Sequence, residues 1–167
     1  MNDKGRAGFE RYYVSTQTAA MLTGKSIRTL QRWQDEGSLH SVEMKGARRG
    51  AGGVKLLLDL HSLAPHIPIP LDDEKMAMMV RADGGEAEAM NEVGLYFYGA
   101  DQYEIAVPWF EAAAGKGHAD AMELLSTCYF KGLGVEKSPA LGLKWLGEAA
   151  AHGHAIAQFK IESMNLK

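Results

Sequence analysis

Apolar positions in the second half of the chain recur every three or four residues, the spacing of one face of an α-helix. The clearest stretches are residues 90–97 and 105–112. Gly117 and Gly153 follow such stretches, where helices commonly end in a left-handed residue. Pro139 stands at the expected first turn of another helix, where the missing N–H costs no hydrogen bond. The pattern predicts a series of short helices.

This half of the chain also repeats itself. Residues 109–118 match residues 145–154 at an offset of 36, and residues 86–90 match residues 118–122 at an offset of 32. The two offsets differ by four residues, because the loop of the first unit is four residues shorter. A helical pair alone cannot bury its apolar face, so units stack on one another. We expect a short α-solenoid in which the third unit has only its first helix.

The first half has a different pattern, with two short helices around a glycine. Ser15 or Thr16 can cap the first helix, and Gly24 permits a tight turn after it. Ser26 can cap the second helix, over residues 27–35. Two short helices joined in this way are typical of a helix-turn-helix.

Two strands follow the second helix. Residues 40–45 and 54–58 have strand composition, and the loop between them is basic and rich in glycine. A basic hairpin in this place is typical of a wing. The sequence therefore predicts a small winged helix-turn-helix domain with a two-stranded wing, followed by the α-solenoid, in a mainly α protein.

The boundary between the two parts is expected near residue 67. Three prolines within residues 65–70 favour an extended linker over a helix. Asp72 can cap a further helix after this segment. The predicted division is a winged domain over 1–66, a proline-rich linker over 67–71 and a helical repeat domain over 72–167.

The charge changes sign at the same boundary. Residues 1–66 carry ten basic and six acidic residues, a net charge of +4, whereas the rest of the chain has a net charge of −7. A basic part suits a polyanion, and an acidic part is repelled by one. We therefore expect the two parts to have separate partners.

Several classes of protein are not expected. Cys128 is the only cysteine, so neither an intramolecular disulfide nor a site with several cysteine ligands is possible. No stretch approaches the roughly 18 apolar residues of a membrane span, and the first residues lack a signal-peptide core. Common catalytic motifs are missing too. We expect a cytoplasmic protein that is not an enzyme and needs no metal or cofactor.

Five short segments of the first half share a pattern with a known class of domain: Val14-Ser15-Thr16, Ala19-Ala20-Met21-Leu22, Ser26 to Trp33, Glu36 to Leu39 and Leu58 to Leu63. Through them, residues 12–66 resemble the winged domain of MerR-type regulators and phage excisionases. The hairpin tip here is longer, and the dimerising coiled coil of MerR regulators is missing.

A recognition helix places arginine against guanine and glutamine against adenine in the major groove of DNA. Basic residues of a wing contact phosphates or enter the minor groove. Alternatively, the helix has only a solvated polar face, and the loop charges only increase solubility. The candidate DNA-binding residues are Thr16, Gln17, Arg28, Thr29, Gln31, Arg32, Lys45, Arg48, Arg49 and Lys55.

Residues 84–162 resemble the Sel1-like repeat, a relative of the tetratricopeptide repeat. The resemblance is carried by the alanine pairs that open each unit, the G-x-G-V loop at Gly132 to Val135, and the tryptophans at 109 and 145. It implies a concave face that holds a basic or amphipathic peptide, although a purely structural cap is an equal alternative. The residues implied for this face are Glu88, Asn91, Leu95, Tyr98, Asp120, Glu123, Thr127, Phe130 and Lys131.

The sequence thus predicts a transcriptional regulator or adaptor that binds double-stranded DNA through the winged domain and a protein or peptide through the repeats. The alternative is a protein–protein scaffold whose winged domain does not bind DNA. An excisionase-like protein that bends DNA is a third possibility. A homodimer stays open, because specific binding normally needs two half-sites. No membrane partner is expected.

Overall fold

The computed structural model describes residues 11–45 and 54–165 of the 167-residue chain. The architecture is mainly helical with one small sheet, as expected. The elements are β1 (Tyr13–Ser15), α1 (Thr16–Thr23), α2 (Ile27–Asp35), β2 (Ser41–Lys45), β3 (Val54–Asp59), α3 (Leu60–Leu63), a 3-10 turn (Ala64–His66), α4 (Asp73–Asp83), α5 (Ala87–Gly99), α6 (Tyr103–Ala114), α7 (Ala119–Lys131), α8 (Pro139–Ala151) and α9 (Ala155–Asn165).

The sheet has three antiparallel strands in the order β1-β3-β2. The two predicted strands, β2 and β3, pair with each other, and Tyr13–Ser15 adds a third strand before α1 that the sequence analysis did not predict. Val14 pairs with Leu58 of β3, and both side chains are fully buried. This pairing is long-range, so the local sequence pattern shows only the helix cap that follows it.

The two short helices of the first half form where the sequence predicts them. The Thr29 N–H donates to Ser26 Oγ at 3.2 Å, which caps α2. Gly24 has a φ of +63°, so it adopts the left-handed conformation that ends α1. The order of helices and strands agrees with a winged helix-turn-helix, but its hairpin tip, residues 46–53, lies outside the described residues. That assignment remains a prediction.

The second half consists of helical pairs, as the repeat predicts. Helix α5 packs on α6, α7 packs on α8, and α9 follows where the sequence predicts the first helix of a third unit. Glycine permits the closest approach in each pair. A Cβ added at Gly94 lies 2.6 Å from the Phe110 ring, and one added at Gly142 lies 2.9 Å from the Phe130 ring.

One hydrophobic core runs through both halves. Ile67 and Ile69 belong to it and are only 6% and 7% exposed. The proline-rich segment expected to be an extended linker therefore packs on the core instead of crossing solvent. Helix α4 contacts β1, and α1 contacts α6, so the two halves also touch directly. The division into separate domains remains a prediction.

Candidate functional site

Helix α2 presents polar side chains to solvent on one side and packs against the rest of the protein with its other side. Leu30 is fully buried, and the Trp33 ring stacks on His66 with ring centroids 3.8 Å apart and planes 16° apart. The exposed side forms the wall of a shallow depression of about 470 Å³. The predicted DNA-binding residues of α2 line it together: Arg28, Thr29, Gln31 and Arg32.

The two arginines of α2 differ in their contacts. Arg32 Nε lies 3.7 Å from Glu36 Oε1, and both side chains are mostly exposed, so this pair is weak. Arg28 is exposed, as is Gln31. Thr29 is half-buried, with its hydroxyl 3.0 Å from that of Ser26. The structure therefore brings together guanidinium and amide groups that are accessible to a ligand.

A carboxylate of α4 lies at the N-terminus of α1. The hydroxyls of Ser15 and Thr18 both donate to Asp83 Oδ1. Thr16 and Gln17, two of the candidate DNA-binding residues, belong to the same helix end. A phosphate bound here would lie beside the Asp83 carboxylate, and the like charges would repel each other.

The hairpin candidates are only partly described. Lys45 ends β2 opposite Val54, and Lys55 of β3 lies opposite Met44. Arg48 and Arg49 lie outside the described residues. Their predicted phosphate contacts remain predictions.

In the repeats, two histidines join successive units in the same way. His118 Nδ1 accepts a hydrogen bond from the Ala121 N–H at 3.3 Å, and its Nε2 lies 2.9 Å from Glu88 Oε2. His154 makes the equivalent contacts, with the Ala157 N–H at 3.2 Å and Asp120 Oδ1 at 3.3 Å. Each imidazole therefore caps the helix that follows it, α7 or α9. The same ring contacts a carboxylate near the start of the helix one unit earlier, α5 or α7.

These contacts place α5, α7 and α9 side by side. Lys160 of α9 pairs with Glu123 of α7, which strengthens the second contact. We use the name odd-helix face for the solvent-accessible side chains of these three helices and define it by one residue of each: Leu95, Thr127 and Phe159.

The residues predicted to bind a peptide have mixed environments. Glu88, Asp120 and Glu123 contact side chains of the next unit, and Thr127 lies 3.5 Å from Glu123. Asn91 is only 3% exposed, so it faces the interior. The remaining residues are Leu95, which is 44% exposed, Tyr98 and Phe130, which are half-buried, and Lys131, which is exposed.

Sequence reasoning missed the most exposed apolar side chains of this layer. Ile156 is 58% exposed and Phe159 is 71% exposed. The repeat offset of 36 places them at the positions of Asp120 and Glu123, so extending the repeat by one helix identifies them. Tyr96, which is 43% exposed, was also missed, because it lies beside the predicted face.

The comparison with protein families decides what these units are. The model of the Sel1 repeat matches residues 87–118 and 119–154. Residues 87–154 are two Sel1 repeats. Among solved structures, a Sel1 repeat protein from Oxalobacter formigenes is similar, with 28% sequence identity and a TM-score of 0.50. The similarity covers 55% of this chain and 74% of that protein. No curated protein matches the chain.

The Sel1 repeats indicate a protein–protein interaction domain, and proteins built from them are generally scaffolds. Within residues 11–45 and 54–165, no three histidine, cysteine or acidic side chains form a group suited to a metal ion. The longest helices over those ranges have 13 residues, and none reaches across a lipid bilayer. Burial raises the pKa of the Cys128 thiol to about 11, which makes it a poor nucleophile.

Proposed function

We propose that the chain is an adaptor whose Sel1 repeats hold a protein partner on the odd-helix face. The observation that carries the proposal is the exposure of large apolar side chains on α9, the helix that directly follows the second Sel1 repeat and contacts it. Phe159 and Ile156 are more exposed than any other large apolar residue that the structure describes. Burial of such a side chain in a partner contributes about 1.5–3 kcal/mol, so these residues are suited to anchor an interface.

Affinity capture with the full chain tests this proposal. The Phe159→Ser and Ile156→Ser variants are expected to lose the partner that the native chain retains. Leu143→Ser is the matched control, because Leu143 is 52% exposed but lies on α8. Equal recovery of the partner with all variants would contradict the proposal.

A second candidate function is DNA binding by the first half, and the accessible arginines of α2 favour it. We infer a winged helix-turn-helix in which α1 supports α2, α2 enters the major groove, and β2 and β3 form the base of the wing. Arg28 and Gln31 then contact bases or phosphates. The net charge of +4 over residues 1–66 is suited to this role.

A mobility-shift titration with duplex DNA at several salt concentrations tests the second candidate. The native chain is expected to bind more weakly as salt increases, because phosphate contacts release counterions. The Arg28→Ala/Arg32→Ala variant should lose binding. The Lys116→Ala/Lys144→Ala variant removes the same charge from the repeats and should bind as the native chain does. If the two variants behave alike, α2 does not contact DNA.

A further inference from the structure

Helices α4 and α5 enclose an open groove that the Sel1 repeats alone do not form. Its volume is about 580 Å³, and Met78, Leu95 and Tyr96 supply its apolar surface. Beyond Tyr96 the groove continues into a second hollow of about 320 Å³, bounded by Ile69 and Pro70. Helix α4 lies before the first Sel1 repeat, so the groove is formed jointly by a segment outside the repeats and the first repeat helix.

Two large apolar side chains of the groove are exposed to solvent and are not part of the buried core. Leu95 is 44% exposed and Tyr96 is 43% exposed, whereas Met78 is 5% exposed and forms the floor. Adjacent large apolar residues on a surface commonly mark an interaction site. The two hollows share Leu95 and Tyr96 as lining residues, and Lys75 Nζ lies 5.4 Å from the centroid of the Tyr96 ring. An occupant can therefore contact both residues from adjacent hollows.

The surroundings of the groove are acidic. Residues 72–99 carry seven acidic and two basic residues, and of these Glu74, Glu92, Arg81 and Lys75 line the two hollows. Both basic side chains are already paired. Arg81 lies 2.9 Å from Glu86 and 3.1 Å from Glu92, and Lys75 pairs with Asp72. Glu74 lines the groove without an ion-pair partner among the described residues. An anionic ligand would be repelled here, and a cationic one attracted.

We propose that this groove binds a cationic amphipathic helix of a partner protein. The apolar stripe of the helix fills the two hollows with side chains one turn apart, and its basic residues lie near Glu74 and Glu92. This mode combines helix-in-groove packing with charge complementarity. The proposal rests on the proposed function, because it names the chemistry of a partner that the repeat domain holds.

Fluorescence anisotropy with the full chain and labelled synthetic helices of about four turns tests the proposal. One peptide carries leucines one turn apart with lysines on its other faces. A second replaces lysine by glutamate, and a third replaces leucine by glutamine. Only the first should bind, and added salt should weaken it, because the attraction is partly electrostatic.

Groove variants locate the site of binding. Leu95→Ser and Tyr96→Ser should each weaken the first peptide at least about tenfold, as expected for an anchor residue. Glu74→Lys should weaken it as well. Leu143→Ser and Glu136→Lys are matched controls outside the groove and should bind as the native chain does. Leu95 and Tyr96 are exposed, so the folded structure is retained, which far-UV circular dichroism checks.

Three results would overturn the inference: no binding of the first peptide, equal binding of the glutamate peptide, or equal loss in the control variants. Self-association that the groove variants abolish would also overturn it, because the occupant would then be a second copy. Capture of a partner through Phe159 does not depend on this groove. Failure of the peptide experiment alone therefore leaves the proposed function standing.

Discussion

At the scale of single residues, close contacts in the repeats depend on side chains that are small. Gly94 lies against the Phe110 ring, and Gly142 lies against the Phe130 ring. Ser126, which the repeat offset of 32 places at the position of Gly94, is only 2% exposed. The packing therefore accepts a hydroxymethyl group there, a result that the sequence alone did not settle.

Gly94→Ala should destabilise the protein by about 1–3 kcal/mol, because its methyl group overlaps Phe110. Gly147→Ala is the control, since nothing lies within 4 Å of the added Cβ. Removing a helical glycine there should stabilise the protein by about 0.5–1 kcal/mol. Urea unfolding measures both changes. Equal effects of the two substitutions would show that Gly94 has no packing role.

Cys128 should resist alkylation by iodoacetamide near pH 8 in the folded protein and react after unfolding. Burial raises the pKa of this thiol from 9.0 to about 11, so little thiolate is present. In the unfolded state, the Cys128 thiol loses its proton at a lower pH than in the folded protein. The contribution of this group to stability is therefore present below pH 9 and falls as pH rises from about 9 to about 11. Rapid alkylation of the native protein would contradict this environment.

At the scale of helices and strands, local signals in the sequence predicted most boundaries. Helix α2 has the predicted bounds because Ser26 caps it and Leu30 anchors it. Asp72 caps α4 in the same way, by accepting from the Lys75 N–H at 2.8 Å. Strand β1 was missed because three residues carry little pattern and depend on pairing with β3. Local patterns do not show pairing between distant segments.

The candidate surfaces were less predictable than the elements. The polar side of α2 follows from helical spacing, and its four residues do share one depression. The contacts of Glu88 and Asp120 with histidines, by contrast, depend on how successive units stack. The burial of Asn91 depends on the same stacking. Sequence spacing assigns a residue to a helix face but does not say what covers it.

His118→Ala should destabilise the protein by about 1 kcal/mol, because it removes the helix cap of α7. It also removes the contact with Glu88. His152→Ala is the control, since His152 is exposed and its ring is hydrogen-bonded to the Glu148 carbonyl of its own helix turn. Urea unfolding compares the two variants. A larger loss from the control would contradict the structural role of His118.

At the scale of the whole molecule, the two halves share one core. Asp83 of α4 accepts hydrogen bonds from the first turn of α1, and Ile67 and Ile69 belong to the shared core. These contacts join the repeat half to α1, which itself contacts α2.

Asp83→Ala should loosen α1, because the hydroxyls of Ser15 and Thr18 lose their acceptor. A hydrogen bond to a charged group contributes about 1.5–3 kcal/mol, so the α1 amides should exchange at least about tenfold faster. Amides of α7 should not change. Glu136→Ala is a control with an exposed carboxylate. Hydrogen exchange that is equal in both variants would mean that this contact does not couple the halves.

Binding of a protein partner to the odd-helix face can be measured by site-specific photo-crosslinking in the organism that encodes the chain. A photoreactive residue at position 127 or 159 should give a defined adduct with one partner protein, whereas one at position 136 or 143 should not. No adduct from the first two positions, or the same adducts from all four, would contradict the account.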